Sequence, residues 1–154
     1  MVEEGKPAPD FALPDQHGNS IRLSKLKGAP VVLYFYPKDN TPGCTKEACS
    51  FRDSFPAFEA IGARILGISP DGVESHAKFG EKYELPFSLL ADTENKVAEL
   101  FGVWKEKSMY GKKYMGIERS TFVLDAKGIV RKIFPKVKVE GHAAQVLEAV
   151  KACT

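Results

Sequence analysis

Cysteine is scarce in this chain of 154 residues: Cys44, Cys49 and Cys153 are all it has. So sparse and odd-numbered a set does not build the disulfide framework of a small secreted domain. In a reducing compartment it points instead to catalysis, redox sensing, metal binding or plain packing. A four-ligand zinc site lacks its ligands, because His17, His76 and His142 are scattered and no second cysteine pair exists. Long apolar runs are also lacking. The longest, Pro30 to Tyr36, is far too short to cross a bilayer. The opening residues Met1-Val2-Glu3-Glu4-Gly5 are acidic and poor in apolar side chains, unlike a signal peptide. Neither sign of charge dominates: Lys plus Arg is 22, Asp plus Glu is 20, and the net charge is +2. That balance, without a basic block or an acidic tail, argues against a nucleic-acid partner. There is no internal repeat and no low-complexity linker. The expectation is a soluble protein, cytoplasmic and without a membrane partner, with residues 1–154 forming one compact domain. Its 44% of hydrophobic residues are enough to bury a sizeable core.

The chain reads as strands alternating with helices. Residues 11–14 and 21–23 flank a turn-rich insert, Gln16-His17-Gly18-Asn19, and predict an opening hairpin. Residues 31–36 form a continuous apolar, β-branched and aromatic run, which predicts a central strand buried on both faces. A loop over 37–43 follows, then a helix with Thr41 at its cap and Pro42 at its first position. Cys44, Ala48, Phe51 and Phe55 recur at helical spacing, and Pro56 should kink or restart that helix. Strands are predicted at 64–69 and 88–91, and helices at 73–83 and 94–101. Residues 104–116 read as long, basic and irregular. A hairpin is predicted from 121–124 and 129–134 around Asp125-Ala126-Lys127-Gly128, and a closing helix over 143–152. Strand–helix alternation implies a parallel sheet covered on both faces, to which the last hairpin adds antiparallel strands. A thioredoxin-like α/β fold satisfies this order: a three-layer sandwich with a mixed central sheet and an N-terminal β-hairpin.

The chemistry concentrates where the loop leaves the central strand and enters the helix. Loops at the carboxyl ends of strands are the usual ligand-binding edge of such a sheet. Cys44 falls in the first helical turn, where unpaired N–H groups and the helix dipole favour an anion. A thiol placed there is held more as thiolate. Gly43 lets a substrate approach the backbone. The competing reading is a small buried hydrophobe sharing a face with Ala48 and Phe51; the loop before Cys44, with Pro37 and then Thr41-Pro42-Gly43, favours reactivity. Cys49, five residues on, would lie roughly 8–9 Å away on an ideal helix, with side chains about 140° apart. A disulfide needs Cα atoms within about 7 Å. If the two cysteines pair, the first turns must unwind. Spacing alone leaves Cys49 open between a partner and a half-buried thiol without a role. Arg119 opens a strand. It is either a solvated edge charge or, if that strand lies beside the central one, a guanidinium that reaches Cys44.

Pro37-x-x-x-Thr41-x-x-Cys44 resembles the active-site motif of the peroxiredoxins. The fuller run Tyr34-Phe35-Tyr36-Pro37-Lys38-Asp39-Asn40-Thr41-Pro42-Gly43-Cys44-Thr45, the Cys-x4-Cys spacing and the stretch from Tyr110 to Phe122 are similar to the bacterioferritin-comigratory, or peroxiredoxin Q, branch. The similarity runs from Gly5 to the final helix. It implies a thiol peroxidase that reduces hydrogen peroxide and organic hydroperoxides in antioxidant defence. Cys44 would be the peroxidatic cysteine, oxidised to a sulfenic acid, and Cys49 the resolving one. Thioredoxin or a similar dithiol would reduce the Cys44–Cys49 disulfide. Thr41 would hydrogen-bond the peroxide, Pro37 would shield the site from water, and Arg119 would hold the thiolate and polarise the O–O bond. No metal, haem or flavin cofactor is implied, and the branch is often monomeric. As cap, the Thr41 hydroxyl would accept from an N–H and still donate to the peroxide.

Three further features complete the reading. Cys153 is expected to be an exposed tail thiol without function. Trp104, Tyr110 and Tyr114 are expected to pack a loop beside the site rather than to stack bases. A thioredoxin-like disulfide reductase is the first competing function, but its Cys-x-x-Cys is missing; a non-enzymatic redox sensor and a chaperone-like role are the others.

Overall fold

The computed structural model describes residues 2–154; Met1, the first of the acidic opening residues, lies outside the described residues. In chain order the elements are β1 (Ala12–Pro14), β2 (Ser20–Arg22), β3 (Val31–Phe35), α1 (Pro42–Ala60), β4 (Arg64–Ser69), α2 (Val73–Lys82) and β5 (Ser88–Ala91). Then follow α3 (Lys96–Leu100), β6 (Trp104–Met109), β7 (Lys112–Ile117), β8 (Ser120–Leu124), β9 (Val130–Phe134) and α4 (His142–Ala152). The central sheet has five strands in the order β5-β4-β3-β8-β9. β3, β4 and β5 run parallel, and β8 and β9 are antiparallel additions. This is the mixed α/β sandwich expected, with β1 and β2 paired as the opening hairpin.

β3 explains the layering. All five of its residues are buried, so its alternate side chains feed two separate cores. Val32 and Tyr34 enter one core with Ala48 and Phe51 of α1, Phe79 of α2 and Val146 and Val150 of α4. Val31, Leu33 and Phe35 enter the other with Phe11, Val97, Phe101 and Phe122. Because β8 runs antiparallel to β3, its first residue, Ser120, pairs with the last residue of β3, Phe35. The loop after β3 and the residue before β8 therefore meet at one edge of the sheet. Among the described residues, no helix is long and apolar enough to cross a membrane.

Several local expectations need correction. Residues 104–117 are not irregular: β6 and β7 form an antiparallel hairpin in which Met109 pairs with Lys112. Its face is too exposed to impose an apolar alternation, so periodicity is silent there. The turn itself is legible, since Tyr110 and Gly111 both take positive φ, 52° and 78°, as a two-residue hairpin turn requires. Pro56 does not restart α1, which runs as one helix to Ala60. Its ring removes one hydrogen bond to the Arg52 carbonyl, while Phe51 and Phe58, both fully buried, fix the helix on either side. α3 begins at Lys96, later than expected, because Asn95 turns left-handed (φ 60°). The buried Asp92 carboxylate then accepts from the amides of Val97 and Ala98. Cys153 is half-buried rather than exposed, and its thiol donates to the Val150 carbonyl. Burial is the leading cause that raises its pKa.

The packing of β4 against Tyr34 leaves no room for a side chain at Gly67. A Cβ on Gly67 of β4 would lie 2.8 Å from Tyr34 Cζ and 3.0 Å from Leu89 Cδ2. Gly67→Ala is expected to destabilise the protein by about 1–3 kcal/mol, since a rigid ring and a packed leucine must both move. A urea titration that shows an unchanged midpoint would contradict this packing.

Candidate active site

α1 starts at Pro42, and Thr41 stands at the cap position in extended conformation (φ −98°, ψ 156°). The Thr41 hydroxyl makes no cap bond. It donates to the Lys38 carbonyl at 2.9 Å, which corrects the expectation of a capping acceptor. Its proton is thereby used within the loop, and its lone pairs are left free to accept a hydrogen bond. The carbonyl of Thr41 receives the first helical amide, from Thr45, at 2.8 Å. Pro37, half-buried, opens the same loop just beyond β3.

Cys44 is 2% exposed. One nitrogen of Arg119, Nη2, lies 3.3 Å from its sulfur. The other, Nη1, donates to Glu47 Oε1 at 2.6 Å. The guanidinium thus spans two side chains that are three residues apart on one helical face. The main chain of Arg119 is fixed as well, its carbonyl accepting from the Val137 amide at 2.9 Å. Gly43 has a role beyond letting a substrate approach. A Cβ there would stand 3.2 Å from Arg119 Nη2, so the glycine makes room for the guanidinium. Burial works against the charge of Arg119, but Glu47 and Cys44 hold its proton more firmly and raise its pKa overall. A second cation, Lys107 on β6, is half-buried with its stem over Gly116. Its pKa is lowered by burial first and by Arg119 next.

Glu47 is the residue that sequence reasoning missed. Between Lys46 and Ala48 it reads as an ordinary solvated helix acid, yet it is 1% exposed. The available signal was its spacing, one helical turn after Cys44. Burial raises its pKa from 4.5 to about 7, with Arg119 opposing the shift. Its second oxygen and the buried Tyr34 hydroxyl have no hydrogen-bond partner.

Cys49 sits half-buried on the unbroken helix, and both it and Cys44 are free thiols. The helix that carries them keeps them apart, as the spacing requires. The structure therefore brings together Cys44, Arg119 and Gly43, with Thr41 and Pro37 in the adjoining loop, and it leaves Cys49 on another face of α1. Among the described residues one group, Asp39, Asp71 and His76, has the make-up of a metal site. Its atoms are already hydrogen-bonded to one another and to their neighbours. It is not a free donor set.

A buried thiol at a helix start, touched by a guanidinium from a neighbouring strand of a thioredoxin-like sheet, defines a thiol-dependent redox enzyme. Residues 4–133 match the AhpC/TSA family. Peroxiredoxin Bcp of Bacillus subtilis is 55% identical over 150 residues, spanning 97% of this chain and 96% of that protein. Peroxiredoxin Bcp of Escherichia coli is 44% identical over 97% of this chain and 96% of its own. Among solved structures, a cysteine-to-serine mutant of Xanthomonas campestris Peroxiredoxin Q superposes with a TM-score of 0.90 at 46% identity, covering 94% of this chain and 92% of that one. The chain belongs to the AhpC/TSA family, in its Bcp and peroxiredoxin Q branch, and is a peroxiredoxin, a thiol peroxidase.

Glu47 gives the fold a pH dependence of definite sign. Its folded pKa, about 7, lies above the ordinary 4.5, so the folded state holds its proton more tightly. Stability is then greatest below the ordinary value and declines as pH rises toward about 7, by on the order of 3 kcal/mol, and is level above that. Glu47→Gln is expected to flatten this decline. Urea midpoints of the two proteins measured from pH 4.5 to 7.5 check it; parallel slopes would contradict the assignment.

Proposed function

We propose that Cys44 is the peroxidatic cysteine and Cys49 its resolving partner. The observation that carries the reading is the Arg119 fork, with one nitrogen on the Cys44 sulfur and the other on Glu47. The Cys44 thiolate attacks one oxygen of a hydroperoxide, and the O–O bond breaks. The other oxygen leaves as an alcohol or water with the peroxide proton, and Cys44 is left as a sulfenate, which takes a proton from solvent to become the sulfenic acid. Arg119 holds the thiolate in place and offers N–H donors to the oxygen that gains charge. Thr41, its own proton engaged by Lys38, accepts from the peroxide O–H, and Pro37 limits water at the mouth of the site. Cys49 then attacks the Cys44 sulfur and expels the hydroxyl as water, forming a disulfide. α1 must unwind locally for this step, because the intact helix separates the pair beyond bridging distance.

Hydrogen peroxide and organic hydroperoxides are the substrates under this reading. In its support, a structural relative at 44% identity and TM-score 0.91, the Xanthomonas campestris bacterioferritin comigratory protein, is described by its alkyl peroxide reduction activity. A thioredoxin or an equivalent dithiol protein closes the cycle by reducing the disulfide, and no metal or organic cofactor takes part. The protein works as a monomer of one domain. Three unpaired thiols suit a reducing compartment such as the cytoplasm.

The deciding experiment is peptide mapping by mass spectrometry after one equivalent of hydrogen peroxide. A Cys44–Cys49 linkage is the expected product. A lasting Cys44 sulfenic acid, or a link to Cys153, would take the resolving role from Cys49. Cys44→Ser should abolish peroxide turnover. Arg119→Ala should slow Cys44 oxidation about a hundredfold in stopped-flow traces, and Arg119→Lys should not restore it, since a point charge lacks the two-pronged geometry.

A further inference from the structure

The peroxidase chemistry leaves one buried polar network unused. His76, on α2 and fully buried, places Nδ1 2.7 Å from Asp39 Oδ2 and Nε2 2.9 Å from the Leu90 carbonyl of β5. Asp39 lies inside the loop between Pro37 and Thr41. Its carboxylate also accepts from the Tyr36 hydroxyl at 2.5 Å and from Ser75 at 2.8 Å. Its amide donates to Asp71 at 2.8 Å, and Asp71 accepts in turn from Ser69 at 2.6 Å. Tyr36, Ser75, His76 and Asp71 thus converge directly on one loop residue, and Ser69 and the Leu90 carbonyl support Asp71 and His76 from behind.

That loop turns sharply just after Asp39. Asn40, next to Asp39, sits in the left-handed region at φ 58°, which asparagine tolerates better than most residues with a side chain. The Asn40 side chain is held from outside, accepting from Tyr83 at 3.2 Å and Lys82 at 3.4 Å. Thr41 and the first turn of α1 follow directly. The helix can begin at Pro42, with Cys44 under Arg119, only while this loop keeps its shape. His76 cannot itself act on substrate, because both ring nitrogens are engaged and it lies beneath the loop.

We infer that His76 is a positioning residue: through Asp39 it holds loop 37–41 in the shape from which α1 starts, and so sets how readily oxidised Cys44 leaves the site for Cys49. This rests on the resolving role proposed above. After it has reacted with one hydroperoxide, Cys44 is a sulfenic acid with two fates. In the wound helix a second hydroperoxide oxidises it: the sulfur gains an oxygen, the O–O bond breaks, and a sulfinic acid and an alcohol or water result. In the unwound helix Cys49 displaces the hydroxyl as water and forms the disulfide. Anything that favours the wound state favours the sulfinic acid, and the network around Asp39 does so.

The test is the peroxide concentration at which half of Cys44 becomes sulfinic acid during turnover with a dithiol reductant, read by mass spectrometry. Tyr36→Phe and Ser75→Ala each remove one bond to Asp39 while keeping the packing. Each should raise that concentration about three- to tenfold, and His76→Gln, which disturbs more bonds, should raise it further. A control, Val130→Ala, lowers stability at a buried position on β9 outside this network; it should leave the value unchanged. Were Tyr36→Phe and Ser75→Ala to sulfinate at the parent's concentration or below it, the inference would be overturned. It would equally be overturned if Val130→Ala moved the value as far, because the effect would then be general stability. If His76→Gln fails to fold, the two milder variants still decide. A parent protein that forms no Cys44–Cys49 disulfide removes the resolving role and this inference together; a parent that forms it beside unresponsive variants removes this inference alone.

Discussion

Arg119 is shared between two groups of one helix, and the rest of the site depends on that sharing. Nη2 meets the sulfur of Cys44 and Nη1 meets Glu47, so one planar cation ties the first two turns of α1 to the strand beside β3. The planar fork of arginine suits such a double contact as a lysine does not. Each contact also gives a buried group a partner: the carboxyl of Glu47, 1% exposed, and the sulfur of Cys44, 2% exposed, meet the same cation. The antiparallel pairing of β8 with β3 makes the meeting possible, because it brings the start of β8 to the edge where the loop after β3 emerges.

The start of α1 is locally weak. Thr41 makes no cap bond, the first turn carries no acidic side chain, and Gly43 sits inside it. Each of these departs from what stabilises a helix N-terminus. What holds the turn is tertiary: Arg119 from above, buried Ala48 and Phe51 below, and the hydrogen-bonded loop behind. A helix end secured by tertiary contacts rather than by its own sequence can open without loss of the core, since Phe51 and Phe58 further along keep the remaining turns docked. Under the proposed mechanism this reconciles two demands on one element: the wound helix presents Cys44 to peroxide, and the same winding keeps it from Cys49.

What the sequence made legible follows from how local each feature is. The strand at 31–35, the loop and helix around Cys44 and the final hairpin depend on short-range pattern and were readable to within a residue or two. Arg119 was readable only as a choice, because its partner is set by strand pairing across 75 positions. Glu47 was hidden, since burial of a charged residue is decided by what packs over it. Asp39 and His76 were hidden for the same reason: their contact joins a loop to a helix 37 positions away. The β6–β7 hairpin escaped because both its faces are largely exposed, so the period of two that betrays a strand was never written into it.

The division of burial between the two cysteines bears on the order of events. Cys44 is enclosed and Cys49 is half-buried, so under the proposed assignment the group that meets peroxide first is the one with less access. Under the proposed reading a hydroperoxide reaches it past the loop and Arg119, where a protein dithiol is too bulky to follow. Reduction of a disulfide by another protein requires a sulfur exposed to an incoming thiolate, and in the wound helix Cys44 offers none. On the proposed reading, the unwinding that joins Cys44 to Cys49 also carries the oxidised sulfur outward, so that winding and exposure are coupled through a single helix end.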